Sequence, residues 1–371
     1  MFTQSQIEAF RSISTPFFFY DLELLRKTIE AVRNHGMSRG YKIHFALKAN
    51  NNLKILGILK RAGFGADCVS GREIERAVES GFSPEEIAFA GVGKTDEEIR
   101  TGLNYEIFSF NCESVQEIEV LNTLAAEEGK KACVALRLNP NVEARTHKYI
   151  TTGLNENKFG IPEKDLPRLF RILPSMQQIE VCGLHFHIGS QILDLNTFEL
   201  LCSRVNQLQD LFDEKGFEMN HINVGGGLGI DYKKPDENSI PDFEKYFSLF
   251  DKNLNLKNGR ELHFELGRSV IGQCGSLISK VLFTKEAELT RFAVLDAGMT
   301  ELIRPALYQA KHHVDVLTSA GPEKKYDVVG PICETSDTFR RGIMIPDVER
   351  GDLVAIRSCG AYGQVMSSDY N

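Results

Sequence analysis

Apolar residues along this chain recur at two periods, and the places where one gives way to the other outline its elements. Residues 15–20 carry a run of aromatic side chains that reads as a strand, and Asp21 then caps a helix whose apolar stripe is Leu22, Leu25, Ile29 and Val32. Over 41–50, Ile43, Phe45 and Leu47 alternate with Lys42, His44 and Ala46, which predicts a short strand running into Lys48, Ala49 and Asn50. The pattern then repeats. Leu53, Leu56 and Leu59 predict a helix closed by Gly63, 65–70 a strand, and Ile74, Ala77 and Val78 a helix stopped by Gly81. Residues 87–91 and 107–110 read as strands, and Thr95 with Glu98, then Ser114 with Glu117, predict capping boxes for the helices that follow. Further strands fall at 133–138, 181–188, 221–224 and 262–266.

About eight strand-then-helix units in succession predict a parallel sheet with helices outside it, and the count favours a closed (β/α)8 barrel over an open doubly wound sheet. From Gly272 onward the period changes. Short strands at 277–283, 292–295, 326–329 and 353–356, with turn residues between them and almost no helix, predict a second, antiparallel β domain of barrel or sandwich type. The expected division is a barrel domain over 22–266 and a β domain made of 1–21 and 267–371.

Composition removes alternatives. Hydrophobic residues at 42% and charged residues at 25% are globular values, and a net charge of −8 argues against a nucleic-acid or anionic-membrane partner. The amino-terminal residues lack a basic segment followed by an apolar one, and no apolar run is long enough to span a bilayer, so a cytoplasmic protein is expected. The eight cysteines are scattered without C-x-x-C pairs, suiting neither a zinc ribbon nor a disulfide framework; most read as small buried apolar residues, Cys333 excepted.

Catalytic groups of a parallel barrel gather at the carboxyl ends of its strands. Those ends carry Lys48, Asp67, Arg137, His187, the run Gly225-Gly226-Gly227 and Glu265. Each also has a plain structural reading. Asp67 can cap a helix, Arg137 can join a surface ion pair, the glycines can make a tight turn, and a lone lysine can leave its strand for solvent. His185 and His187 share one strand face at a spacing that also suits a metal, but a zinc site would want more histidines and carboxylates at other strand ends, where the first strand offers a lysine; no metal is expected. Taken together the set suits pyridoxal 5'-phosphate, which needs a lysine for its aldehyde, donors for its phosphate, a flat partner for its ring, and a group beside its pyridine nitrogen. Lys48 supplies the amine, the glycines can bring backbone N–H groups to a phosphate, His187 can lie against the ring, and Ser190 can reach the phosphate. Glu265 is the informative residue, since a carboxylate beside the ring nitrogen keeps it protonated and the ring a strong electron sink.

Six motifs then resemble, in order and across almost the whole chain, those of the alanine-racemase-fold decarboxylases. They are Ala46-Leu47-Lys48-Ala49-Asn50, His187-Ile188-Gly189-Ser190, Gly225-Gly226-Gly227, Glu265-Leu266-Gly267-Arg268, Gly330-Pro331-Ile332-Cys333-Glu334 and Gly360-Ala361-Tyr362-Gly363. The chain is most similar to the members that decarboxylate meso-diaminopimelate to lysine, the last step of lysine biosynthesis. The resemblance implies a barrel joined to a β domain, pyridoxal phosphate on Lys48, and a homodimer with shared active sites. It implies that Asp67, His187, Ser190, Gly225, Gly226, Gly227, Glu265, Gly267, Arg268 and Tyr362 hold the cofactor, and that Arg268, Arg304, Tyr308, Glu334 and Tyr362 hold the substrate. Lys48 and Cys333 would be catalytic, with Cys333 and Glu334 supplied across the dimer.

Two departures stand out. Leu266 replaces the proline usual in the Glu-Pro-Gly-Arg motif, and family members typically continue into a short segment beyond the position of Asn371. Decarboxylases of ornithine, arginine or carboxynorspermidine share the cofactor motifs, and a non-catalytic homologue would share the fold. Arg304 with Arg268 favours a substrate bearing a distal carboxylate, because ornithine would want acidic groups for a distal ammonium. A racemase would gain from a poor electron sink, against which Glu265 argues.

Overall fold

The computed structural model describes residues 2–142 and 158–371. It divides into two compact units, one made of Ile29–Gly229 and Asp242–Gly267, the other of Met1–Thr28, Ile230–Pro241 and Arg268–Asn371. Strand β1 (Phe17–Tyr20) belongs to the second unit, and β2 (Lys42–Ala46) opens the first. After β2 come β3 (Gly65–Cys68), β4 (Ile87–Phe89), β5 (Ser109–Cys112), β6 (Ala132–Arg137), β7 (Ile179–His185), β8 (His221–Asn223) and β9 (Glu261–Leu266). These eight close in sequence order into a parallel barrel, with β9 pairing back onto β2. The expected (β/α)8 architecture is therefore present.

Buried parallel strands need not alternate, and β2 shows why its pattern misleads. Ile43, His44, Phe45 and Ala46 are all buried, so His44 points into protein although its place in the sequence reads as polar. Outside the barrel the helices meet it through apolar stripes. Helix Phe243–Asn253 presents Phe243, Tyr246, Phe247 and Phe250 at helical spacing, and the last three pack edge-on to Phe264 of β9 with ring centroids 4.9 to 5.8 Å apart. Each such ring, fully buried, contributes on the order of 2–3 kcal/mol before the edge-to-face term.

Helix starts follow the sequence closely, with one correction. The Thr95 and Glu98 box forms on both sides. Ser114 accepts the Glu117 amide as expected, but the Glu117 carboxylate does not return the bond to Ser114. Its Oε2 takes the Glu113 amide at 2.7 Å and its Oε1 takes Lys94 at 2.6 Å, so a tertiary ion pair outcompetes half of the box. Strand β5 also begins two residues later than 107. Phe108 is instead stacked against His263 and tilted against His221, at centroid distances of 5.1 and 4.9 Å.

Those rings belong to a cluster toward the amino ends of the barrel strands. His44 Nε2 lies 2.9 Å from His263 Nδ1, and neither ring nitrogen of His221 has a partner although the residue is 1% exposed. Burial, with repulsion from His44 and His185, pushes His221 down to about 3, and burial likewise lowers His44 and His263. The native state thus binds fewer protons than the unfolded chain between pH 6.5 and about 3, so stability is full above that window and lost as pH falls through it. His221→Gln is expected to flatten this loss by up to about 1.4 kcal/mol per pH unit. Urea unfolding at pH 7, 6 and 5 measures it, and a pH slope equal to wild type would count against the assignment.

In the second unit β1 is joined by β10 (Gly275–Glu286), β11 (Arg291–Leu295), β12 (Val314–Val316), β13 (Glu323–Val329), β14 (Thr338–Pro346) and β15 (Leu353–Ile356). The path runs β12-β15-β10-β11-β13-β14, and β1 pairs antiparallel with β10. The sheet is antiparallel as expected except for β11 with β13, which run parallel. Its core packs Leu277, Val281, Leu295, Tyr326, Phe339 and Ile356.

The cysteines require a second correction. Cys133 of β6 and Cys182 of β7 are disulfide-bonded with Cα atoms 5.7 Å apart, although 49 residues separate them in sequence. Adjacent strands, not local spacing, create the pair. Cys333 is exposed, and the remaining five are buried.

Candidate active site

Lys48 does not end β2 but follows it, in a 3-10 turn over Leu47–Ala49 whose other two residues are buried. The turn lifts its amine out of the wall, leaving the side chain 36% exposed, while Nζ donates to Asp67 Oδ2 at 2.7 Å. Asp67, on β3, is fully buried and its Oδ1 has no partner. Helix capping is not its task, since Ser70 caps the next helix by accepting the Glu73 amide. Burial and the charge of Glu265 push Asp67 up to about 6 against the pull of Lys48.

Glu265, on β9, is 6% exposed and surrounded by donors. Asn111 Nδ2 of β5 and Asn223 Nδ2 of β8 donate to Oε1 at 3.1 and 2.9 Å, and His185 Nε2 of β7 lies 3.1 Å from Oε2. Burial alone would raise this carboxyl, but the attraction and hydrogen bond of His185, with Lys48 and His187, hold it below the usual carboxylate range. Two carboxyl groups thus share the carboxyl-end mouth with opposite tendencies, Glu265 ionised and Asp67 the readier to take a proton.

His187 lies just beyond β7. Its Nδ1 accepts the Gly226 amide at 3.3 Å, and burial followed by the charge of Arg137 pushes it down to about 3, so the ring is neutral. The glycine run is demanded by the chain itself. A Cβ on Gly226 would come within 1.9 Å of the Glu265 carbonyl oxygen, and Gly225 and Gly227 have φ of 68° and 107°. The Gly225 amide is engaged by Asn223 Oδ1 at 2.9 Å. Ser190 is half-buried in the loop after β7, and Gly267 is buried immediately after β9. Arg137 is not a surface ion-pair partner: it donates to buried Glu113 at 2.8 Å and lies over Phe159. Leu266 is buried and pairs across the ladder with Phe45.

The remaining predicted residues belong to the second unit. Arg268 donates to the Tyr232 hydroxyl at 2.5 Å and lies over the Tyr362 ring at 4.7 Å. Arg304 opens the short helix Arg304–Tyr308 and lies over the rings of Tyr232 and Tyr308, at 5.4 and 5.5 Å. It is 5% exposed, and among the described residues its Nε has no partner and no carboxylate pairs with it. Burial, with the nearby Arg268 charge, lowers the guanidinium from its ordinary value. Cys333 and Glu334 occupy the exposed turn between β13 and β14, where Glu334 accepts from the Tyr370 hydroxyl at 2.7 Å and from Ser336 at 3.0 Å. Those two bonds lower its carboxyl.

Sequence reading missed Tyr232, which ties the two arginines together, and the three donors around Glu265. Tyr232 gave no signal. Asn223, inside the predicted 221–224 strand, and Asn111, one residue past the predicted 107–110 strand, did, as amides at positions that a barrel buries, and His185 was noted only as one half of a metal-like spacing. Among the described residues no group of three His, Cys, Asp or Glu is placed to hold a metal ion.

The barrel residues fit pyridoxal phosphate. An amine is partnered by a buried carboxylate with an orphaned oxygen, and a second carboxylate is held ionised within the same mouth. Comparison with known proteins agrees, and the chain belongs to the pyridoxal-dependent decarboxylases: the family described as pyridoxal-dependent decarboxylase, pyridoxal binding domain, matches residues 23–272. Within it, the diaminopimelate decarboxylase of Bacteroides thetaiotaomicron is 54% identical over 98% of this chain and 95% of its own length. That of Aquifex aeolicus is 39% identical over 98% and 86%. A solved diaminopimelate decarboxylase from Helicobacter pylori, complexed with L-lysine, superposes with a TM-score of 0.92 at 39% identity, covering 98% of this chain and 91% of that one.

Proposed function

We infer that this protein is a pyridoxal-phosphate-dependent decarboxylase acting on meso-diaminopimelate, yielding lysine and CO2 in the last step of lysine biosynthesis. The observation that carries the substrate is Arg304. A guanidinium desolvated against two tyrosines, with no carboxylate paired to it among the described residues, suits an anionic partner. A substrate with a second amino-acid head group brings a carboxylate to it; ornithine would bring an ammonium. The lysine bound to the Helicobacter pylori neighbour has the chemistry of the product.

When bound, the cofactor supplies an electron sink for the pair left behind as CO2 departs. The chain's residues prepare this. Lys48 holds the cofactor through its amine, and Asp67 at 2.7 Å accepts from that amine and can take its proton. Glu265, held ionised, would favour a protonated ring nitrogen, and neutral His187 would hold the ring without adding a competing charge. Arg304, Arg268 and Tyr308 hold substrate carboxylates, and Cys333 or Lys48 returns a proton to the reacting carbon. A panel of meso-diaminopimelate, ornithine, arginine and carboxynorspermidine, assayed for CO2 release, tests the assignment. We expect kcat/KM for meso-diaminopimelate to exceed the others by about 10²-fold or more; a preference for ornithine would overturn it.

The same reading makes the protein a cytoplasmic homodimer with shared sites, each combining Lys48 of one chain with Cys333 and Glu334 of the other. Among the described residues no helix is long and apolar enough to cross a membrane. Lys48→Ala and Glu334→Ala, each inactive alone, should rescue one another when their subunits are mixed. Random reassortment makes half of the dimers mixed, each with one intact site of two, so roughly a quarter of wild-type activity should return. No recovery in a mixture shown by native mass spectrometry to have exchanged subunits would reject shared sites.

A further inference from the structure

We propose that Asn111, His185 and Asn223 are positioning residues that lock Glu265 in its anionic form and leave one acceptor site of its carboxylate open for a ring N–H. The proposal rests on Glu265 being the partner of the cofactor's ring nitrogen, and deepens that reading.

The argument is one of hydrogen-bond direction. Amide groups can be placed either way round, so their orientation must come from their other contacts. Asn223 Oδ1 accepts the Gly225 amide at 2.9 Å, which leaves its NH2 group toward Glu265 Oε1 at 2.9 Å. Asn111 Nδ2 donates to the same oxygen at 3.1 Å, with its Oδ1 3.4 Å from the Ser109 hydroxyl. His185 Nε2 lies 3.1 Å from Oε2 and 3.0 Å from Oε1, while its buried Nδ1 has no partner. A carboxylate only accepts, so Nε2 carries a proton; the cheaper state for the orphaned Nδ1 is a lone pair rather than an unsatisfied N–H.

All three neighbours therefore donate, and none can accept. A proton on Glu265 would face N–H groups from three strands, β5, β7 and β8, with no lone pair to receive it. An ionised carboxylate offers about four acceptor sites, of which three are filled. A ring N–H would be a fourth donor to the same carboxylate. Among the described residues, Lys48, Asp67 and His187 also act at this mouth, Arg137 acts on His187, and His44 and His263 feel the Glu265 charge. Lys48 favours the anion, Asp67 opposes it, and neither fixes its orientation.

The test uses the cofactor-free protein first. Glutamate labelled with carbon-13 at the side-chain carboxyl reports the titration of Glu265, its signal assigned by loss in Glu265→Gln. In the wild type the signal should stay that of an anion down to the acid limit of folding. In Asn111→Leu and His185→Leu its midpoint should rise by about one pH unit or more. His185→Gln, which retains an N–H donor, should recover most of the shift, something a merely structural role would not do. If a leucine variant does not fold, Asn111→Ser removes the same amide with less disturbance.

Pyridoxal phosphate is then added and its absorbance followed. In the loaded enzyme the leucine variants should lower kcat with little change in KM, because the substrate's carboxylate contacts are untouched. A Glu265 titration identical in wild type and both leucine variants would overturn the cage, whether or not the cofactor binds. Failure of the wild type to bind pyridoxal phosphate, with the titration shifts present, would instead overturn the cofactor reading and leave the cage standing.

Discussion

Lys48→Ala should lower turnover by about 10³-fold or more and abolish the visible absorbance of the bound cofactor, since its amine, paired with buried Asp67, is the one that would hold it. In the wild type, borohydride should quench that absorbance and leave the label on the peptide containing Lys48. Turnover within a few-fold of wild type would dismiss the lysine. The substitution also has a predictable side effect. Asp67 is fully buried and Lys48, 2.7 Å away, is its ion-pair partner. Its carboxyl, pushed up to about 6 even with Lys48 present, should rise further without it. A raised acid contributes stability below its unfolded value of 3.8 and loses it as pH rises through the folded value, so the variant should be less stable than wild type at pH 8 and closer to it at pH 5. Activity compared at equal folded fraction separates the chemical loss from this one.

Arg304→Ala should raise KM for meso-diaminopimelate by roughly 10²-fold, because losing a charge-assisted contact to a desolvated carboxylate costs about 3 kcal/mol. Arg304→Lys should fall between, keeping the charge while losing the planar fork. A structural arginine would behave differently. Arg304 has no anionic partner among the described residues, so its removal breaks no ion pair there; the ligand-free protein should lose chiefly its stacking on Tyr232 and Tyr308. What should vanish is stabilisation by added lysine or substrate, measured as a shift in Tm. An unchanged KM, or wild-type preference for ornithine, would refute the carboxylate clamp.

The elements of the barrel were legible because burial on an outer helix stripe imposes a 3.6-residue period whatever the tertiary arrangement. Leu22 to Val32, Leu53 to Leu59 and the box at Thr95 carried that signal. Strands β12 and β14 escaped it. They are the two ends of the sheet path, and edge strands carry the polar, glycine and proline residues that discourage further pairing, as Arg340, Arg341, Gly342 and Pro346 do in β14. The strand pattern also misassigned faces, since His44 is buried in a barrel that covers both sides of β2.

By itself the sequence determined the repeating strand-helix order, the lysine that follows the first barrel strand, and the identity of the carboxylate at the end of the last. Local period and residue chemistry suffice for these, because each concerns a few neighbouring positions. Only the tertiary structure decided what surrounds them. Asn111 and Glu265 lie 154 residues apart, and Cys133 and Cys182 meet only because β6 and β7 are neighbours in a given register. Closure of the barrel, β9 onto β2, is what carries Glu265 to the mouth that holds Lys48 and Asp67. A carboxylate's protonation depends on which donors face it, and strand register, which no local pattern encodes, chooses them.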